Sequence, residues 1–282
     1  MRNNIGFMQG RLSPLIDGKI QSFPWPYWRD EFALAQQLGF SLMEWTLDQE
    51  RLYENPLMTE AGRREIRVLQ ERHGVDISSL TGDCFMQAPF YKAEGENRKV
   101  LEKDFLNIAS ACSMAGIRMI VVPLVDKGRL DSSEQEHVLV GFLTANADFF
   151  KSSRLSVIFE SDFPPERLAR FIDRLDPVLF GINYDVGNSA AHGFRPEEEI
   201  QAYGHRIANV HVKDRKRGGT TIPLGEGSAD FESVFYGLSR IDYQGNFILQ
   251  TARASDDDHA AVLCRYRDQT KAWIARSSRH ES

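Results

Sequence analysis

Short apolar runs alternate with longer stretches in which apolar residues recur at helical spacing, and the alternation repeats eight times. Strands are predicted at 4–8, 41–46, 76–80, 117–122, 155–160, 180–185, 207–212 and 247–251. The 3.6-residue pattern predicts helices at 27–38, 60–73, 97–115, 132–150, 166–175, 196–203, 231–239 and 257–276. Gly39, Gly74 and Gly116 close the early helices where a left-handed cap suits glycine. Pro164 and Pro165 stand where a first helical turn tolerates proline. No Pro/Gly/Ser-rich linker divides the chain. Eight strand–helix units predict one α/β domain, a single (β/α)8 TIM barrel over residues 1–276, with a polar tail, SSRHES, at 277–282. The alternative, a doubly wound open sheet, would be favoured by a Gly-rich dinucleotide turn after the first strand, which Gly6 and Gly10 do not make.

Composition removes several classes. With 42% hydrophobic and 26% charged residues the chain is neither disordered, collagen-like nor a disulfide scaffold. Its longest strongly apolar stretch, 117–124, is far too short to span a bilayer. The start, MRNNIGFMQGRL, lacks the apolar core of a secretory signal. Cys84, Cys112 and Cys264 are few and scattered, as in a reducing cytosol, so a cytoplasmic location without membrane contact is expected. A net charge of −6, from 34 basic and 40 acidic residues, argues against a nucleic-acid partner.

In a barrel of this kind chemistry collects where strands finish. The fifth strand ends at Glu160, the sixth at Asp185, and the seventh carries His211. Acids and imidazoles after apolar strands are costly to bury unless paired, hydrogen-bonded or metal-bound. A single strand-end Asp often only caps the next helix. Three adjacent ends supplying Glu, Asp and His point instead to ligands for one divalent ion, with water or substrate completing its shell.

The segments ESD at 160–162, YDVGN at 184–188, HVKD at 211–214 and PLGEG at 223–227 resemble the xylose isomerase-like TIM-barrel superfamily of sugar and sugar-phosphate isomerases and epimerases. The likeness runs strand for strand over almost the whole chain. It implies one divalent metal ion (Mn²⁺, Mg²⁺, Co²⁺ or Zn²⁺) held by Glu160, Asp185, His211 and the eighth-strand position, Gln250. The family usually carries Glu at that last position. Gln can still coordinate through its carbonyl oxygen, but it is neutral and cannot act as a base. The family's epimerases use two metal-linked glutamates on opposite faces of the substrate carbon, and this chain keeps only Glu160 of that pair. The expected function is therefore a metal-dependent isomerase of an open-chain sugar or sugar phosphate, with Glu160 moving the proton of an enediol. Alternatives are an epimerase with a different second base (Glu44, Asp83 or Asp214), a dehydratase of polyols or keto-acids, and a catalytically impaired sugar-binding barrel. The superfamily's apurinic-site endonucleases place many more histidines at strand ends than this chain does.

Further substrate contacts are expected from Glu44 on the second strand, Lys213 and Arg217 in the basic loop after His211, Arg253 beyond the eighth strand, Arg11 after the first, and His192 after the sixth. Each has an alternative role: Lys213 and Arg217 as members of a solvated loop, Arg253 in a salt bridge, Arg11 in closing its loop, and His192 at the surface. Glu166 is expected to be a first-turn acid favoured by the helix dipole. Phe23, Trp25, Tyr27 and Trp28 cluster in the first loop, where they could roof the pocket, pack inward, or support a homodimer or homotetramer.

Overall fold

The structure, a computed structural model, describes residues 5–277. Eight parallel strands close into a barrel: β1 (Ile5–Met8), β2 (Leu42–Thr46), β3 (Asp76–Thr81), β4 (Met119–Leu124), β5 (Ser156–Ser161), β6 (Phe180–Asp185), β7 (Ile207–Val212) and β10 (Asn246–Leu249). The intervening β8 (Asp214–Arg215) and β9 (Thr221–Ile222) form a small antiparallel ribbon outside the barrel. Strand order follows chain order around the ring, and β10 closes it between β7 and β1. The expected (β/α)8 barrel is thus the observed architecture. The last helix runs His259–Ser277, so Ser277 is helical, and the rest of the predicted tail lies outside the described residues.

The predicted strands are found with small end shifts. β4, Met119–Leu124, is nearly all buried, as expected of a parallel strand covered on both faces. Helix ends follow local chemistry. Thr59 caps Glu60–His73 by accepting from the Gly62 N–H, and Gly74 ends that helix at φ 63°. The predicted helix 132–150 is instead two, Ser133–Ala145 and Ala147–Ser153. The break falls at Asn146, whose side-chain amide donates to the Phe142 carbonyl and competes with the helical ladder. Between barrel and helices the core is dominated by fully buried side chains such as Phe105, Phe150, Phe159 and Phe171, each stabilising by roughly 1.5–3 kcal/mol.

Two short helices were not predicted, and both start at the barrel mouth. Asp83–Gln87 begins two residues past β3, and Val186–His192 begins directly after β6. The second is capped by Asp185 itself, whose Oδ1 accepts the Asn188 N–H at 2.8 Å.

Candidate active site

The parallel register brings the expected residues side by side. Asp185 on β6 is level with His211 on β7, and His211 is level with Ile248 on β10. Residues alternate in and out of the barrel, so Asn183 and Asp185 share one face of β6, and Asn209 and His211 one face of β7. Asn209 donates to Asn183 Oδ1 at 2.8 Å and to Glu44 at 3.2 Å, which makes a polar layer beneath the site.

Above that layer, ligand atoms of Glu160, Asp185 and His211 all lie within 4.8 Å of one another, and all three residues are buried. His211 Nε2 is 2.7 Å from Glu44 Oε1. Glu44 also accepts from Ser79 Oγ at 2.7 Å and Thr81 Oγ1 at 2.5 Å. His211 Nδ1 lies 3.2 Å from Glu160 Oε2 but makes no hydrogen bond. Glu160 is oriented by Asn188 at 2.5 Å and Asn183 at 3.2 Å. The Lys213 ammonium lies 3.1 Å from Asp185 and 3.3 Å from Gln250 Oε1.

The charges of this cluster are mutually dependent. Burial alone would lower the His211 pKa, but the charge of Glu44 and the contacts with both carboxylates raise it to about 10. Burial opposes ionisation of Glu44, yet the charge and hydrogen bond of His211 bring its pKa below the ordinary carboxylate value. Glu160 is likewise lowered: burial is outweighed by His211 and Lys213. Asp185 is raised by burial, which Lys213 only partly offsets.

A cavity of about 800 Å³ opens onto this cluster, and Glu160, Lys213, Gln250 and His192 line it. Glu44 does not line it. Glu44, expected to bind a substrate hydroxyl, is wholly buried and spends its oxygens on Ser79, Thr81, Asn209 and His211. Arg11 is buried and donates to the Ile20 carbonyl at 2.9 Å and to Gln21 at 3.2 Å. Burial and the neighbouring Arg253 lower its pKa to about 9. Arg253 donates to the Ser13 carbonyl at 2.8 Å. Arg217 is exposed, with its guanidinium against Gly193. None of these three lines the cavity.

Asp214, a suggested substitute base, is also wholly buried. It accepts from the N–H groups of Gly225, Gly227 and Ala229 and so shapes the LGEG loop. Glu166 is an exposed first-turn acid. Phe23 and Trp28 turn inward against Trp45, so the aromatic loop packs into the core and does not roof the pocket. Trp25 and Tyr27 of the same loop stay half-buried.

Several site residues had not been singled out by sequence reasoning. Asn188 lay inside the quoted YDVGN motif without an assigned role. Asn183 and Asn209 carry a signal in hindsight, since each sits two positions before an expected ligand and therefore on the same strand face. Gln21 carries none: it reaches the cavity from the first loop, where its Nε2 donates to Asp83 at 2.6 Å and its Oε1 accepts from Gln250 at 2.9 Å.

The profile of the xylose isomerase-like TIM barrel matches residues 32–274. A curated relative from Shigella boydii, L-ribulose-5-phosphate 3-epimerase, is 26% identical over 269 residues, covering 90% of this chain and 93% of its own. Among solved structures, a zinc-bound IOLI protein aligns with TM-score 0.76 at 14% identity over 97% of this chain and 99% of that one. An L-ribulose 3-epimerase aligns with TM-score 0.75 at 14% identity over 99% and 97%. No helix among the described residues is long and apolar enough to cross a membrane.

Proposed function

The chain belongs to the xylose isomerase-like TIM-barrel family, and we propose that it is a metal-dependent sugar or sugar-phosphate isomerase or epimerase that moves a proton at the carbon beside the carbonyl of an open-chain carbohydrate. The observation that carries this reading is the convergence of Glu160, Asp185 and His211 within 4.8 Å of one another, with Glu160 lining a cavity large enough for a small sugar. The similarity to an L-ribulose-5-phosphate 3-epimerase supports it.

The donor set fits a divalent ion. Two carboxylates and an imidazole are oxygen and nitrogen ligands suited to Mn²⁺, Co²⁺ or Zn²⁺. His211 Nδ1 is buried and lacks a hydrogen bond, while Nε2 is held by Glu44. A carboxylate behind a ligating histidine fixes its tautomer and raises its basicity. Gln250 lies beside Lys213 and could add its carbonyl oxygen. When bound, such an ion polarises the carbonyl and the neighbouring hydroxyl and makes the C–H between them more acidic.

The chain's own residues do the rest. Glu160, held ionised below its ordinary range, takes the proton and returns it. Asn183, on β6, and Asn188, on the helix that Asp185 caps, hold that carboxylate in place at the cavity wall. Lys213 keeps Asp185 compensated at the mouth.

The test is incubation with Mn²⁺ in D₂O, using L-ribulose 5-phosphate and its unphosphorylated ketose. Deuterium should enter the carbon next to the carbonyl. A Glu160→Gln enzyme should lose the exchange by roughly 10²–10⁴-fold. Undiminished turnover in that variant, or a protein that takes up no stoichiometric metal, would count against the reading.

A further inference from the structure

We propose that Asp83 is a second acid–base group of the site, delivering a proton to the face of the substrate carbon opposite Glu160, so that the reaction inverts that carbon. This rests on the proton-transfer reading above and deepens it from isomerase-or-epimerase to epimerase.

Placement comes first. Asp83 follows β3, and in the eight-strand ring β3 lies four positions from β7, directly across the mouth from His211. Asp83 and Glu160 both line the cavity, from strands two positions apart in the ring, with β4 between them. A substrate held over the β5–β7 cluster therefore meets Glu160 from β5 and Asp83 from the segment after β3, which stands across the mouth from His211.

Its competitors are weaker. The other carboxylates lining the cavity beyond Glu160 are Asp126 and Asp162. Asp126 is exposed to solvent, and Asp162 lies 3.6 Å from the Arg129 guanidinium. Asp83 is 6% exposed and has no salt bridge among the described residues. Its Oδ2 accepts from Gln21 at 2.6 Å, which aims the carboxyl, and Oδ1 takes no hydrogen bond from a described residue. Gln250, across Gln21, is an amide and cannot serve.

The electrostatics agree. The charged groups around Asp83 are Asp48 past β2, Glu160 on β5 and Arg11 in the first loop. Burial, reinforced by the two acids and only partly offset by Gln21 and Arg11, raises its pKa to about 7, whereas Glu160 is lowered. Two carboxyls at one cavity whose environments push them apart are matched to acid and base roles.

The step balances. The C–H bond beside the carbonyl breaks, its proton goes to the Glu160 carboxylate, and its electron pair enters the enediolate. A new C–H bond forms on the other face with the proton of the Asp83 carboxylic acid. The enzyme is left with Glu160 protonated and Asp83 ionised, and proton exchange with water at the open mouth resets it.

The experiment compares the parent with Asp83→Asn in D₂O under Mn²⁺, following both epimer formation and deuterium entry into recovered substrate. The substituted amide can keep a contact with Gln21, and a thermal melt and Mn²⁺ binding check folding. The expected result is a loss of epimer formation by about 10²–10⁴-fold, with the Glu160-dependent exchange of recovered substrate continuing. Asp83→Glu should restore part of the epimerisation. Independently of turnover, protein labelled with ¹³C-Asp should show a carboxyl resonance titrating near pH 7 that is missing from Asp83→Asn. Epimerisation at the parental rate in Asp83→Asn overturns the inference, as does loss of exchange in parallel with epimer, or a parent that forms only an aldose. A parent that neither exchanges nor converts any ketose instead overturns the proton-transfer reading on which it rests.

Discussion

The wall of the cavity built by β5, β6 and β7 and the arginine-bearing loops beside it look alike in sequence, since each offers charged residues just past an apolar strand. They behave differently in space. Glu160, Asp185 and His211 meet within 4.8 Å. Arg11 and Arg253, by contrast, donate to the Ile20 and Ser13 carbonyls, and Arg217 stays in solvent. The difference is one of who sets the side chain's direction. On a strand, pleat and register do, and neighbours on the same face must converge. In a loop, unpaired carbonyls do, because a buried C=O without a donor is expensive, and a guanidinium with five donors is the residue best able to satisfy it.

The largest test of the ordered wall is Glu44→Gln. Glu44 does not line the cavity beside the cluster, so a site made only of cavity-lining groups would be indifferent to it. It holds His211 Nε2 at 2.7 Å with both groups buried. Removing its charge should weaken Mn²⁺ binding by about 10–100-fold, as for other carboxylates behind ligating histidines. It should also destabilise the metal-free protein by roughly 3–5 kcal/mol, the usual effect of breaking a buried pair. Calorimetric titration and urea unfolding measure the two. Unchanged metal affinity would reduce Glu44 to packing.

A smaller effect is expected from pH. Without metal, His211 has a folded pKa of about 10, above the unfolded value of about 6.5. Its stabilisation is therefore complete below about pH 6.5 and is lost progressively as pH rises to about 10. Glu44 and Glu160 are lowered, so their share is present above the carboxylate range and lost only in acid. Asp83, raised to about 7, works against folding as it ionises, an effect complete by about pH 8 that leaves the higher alkaline window to His211. The melting temperature of EDTA-treated protein should fall between pH 7 and 10. Mn²⁺ needs the unprotonated Nδ1, so its binding at neutral pH should release about one proton, read by calorimetry in buffers of different ionisation enthalpy. A flat alkaline melt with no proton release would mean that the imidazole is not charged between its two carboxylates.

The same division explains what could be read from the chain. All eight barrel strands and the Glu160–Asp185–His211 set follow from short apolar runs and the residues at their ends, where backbone geometry sets direction. Capping and metal ligation looked like competing roles for Asp185. The two oxygens differ: Oδ1 caps Val186–His192, while Oδ2 takes no part in the cap and faces Lys213. Glu44 was placed at the right barrel end, but its full burial behind His211 was not legible, because sequence shows which face a residue takes and not how deep the mouth begins. Gln21 could not be found at all. It reaches Asp83 and Gln250 from a loop whose path depends on Glu31 gathering the N–H groups of Gly10 and Leu12, contacts made at separations of 21 and 19 residues.

The smallest expected effect belongs to Arg217→Ala. The guanidinium is exposed and packs only near Gly193, where a Cβ would come within 2.7 Å of it. The backbone N–H of residue 217, which donates to Ser228 Oγ at 3.0 Å, survives the substitution. Stability and substrate KM should both change by no more than ~0.5 kcal/mol, about twofold in KM. The informative comparison is between a phosphorylated ketose and its unphosphorylated counterpart. A tenfold rise in KM for the phosphorylated sugar alone would show that this arginine swings into the cavity when an anion arrives. It would then have to leave Gly193 and cross past His192, which lines the mouth and stacks on Phe194 with ring centroids 5.3 Å apart. Equal, small changes for both sugars would leave substrate recognition to groups already facing the cavity, foremost Lys213, the cation beside Asp185.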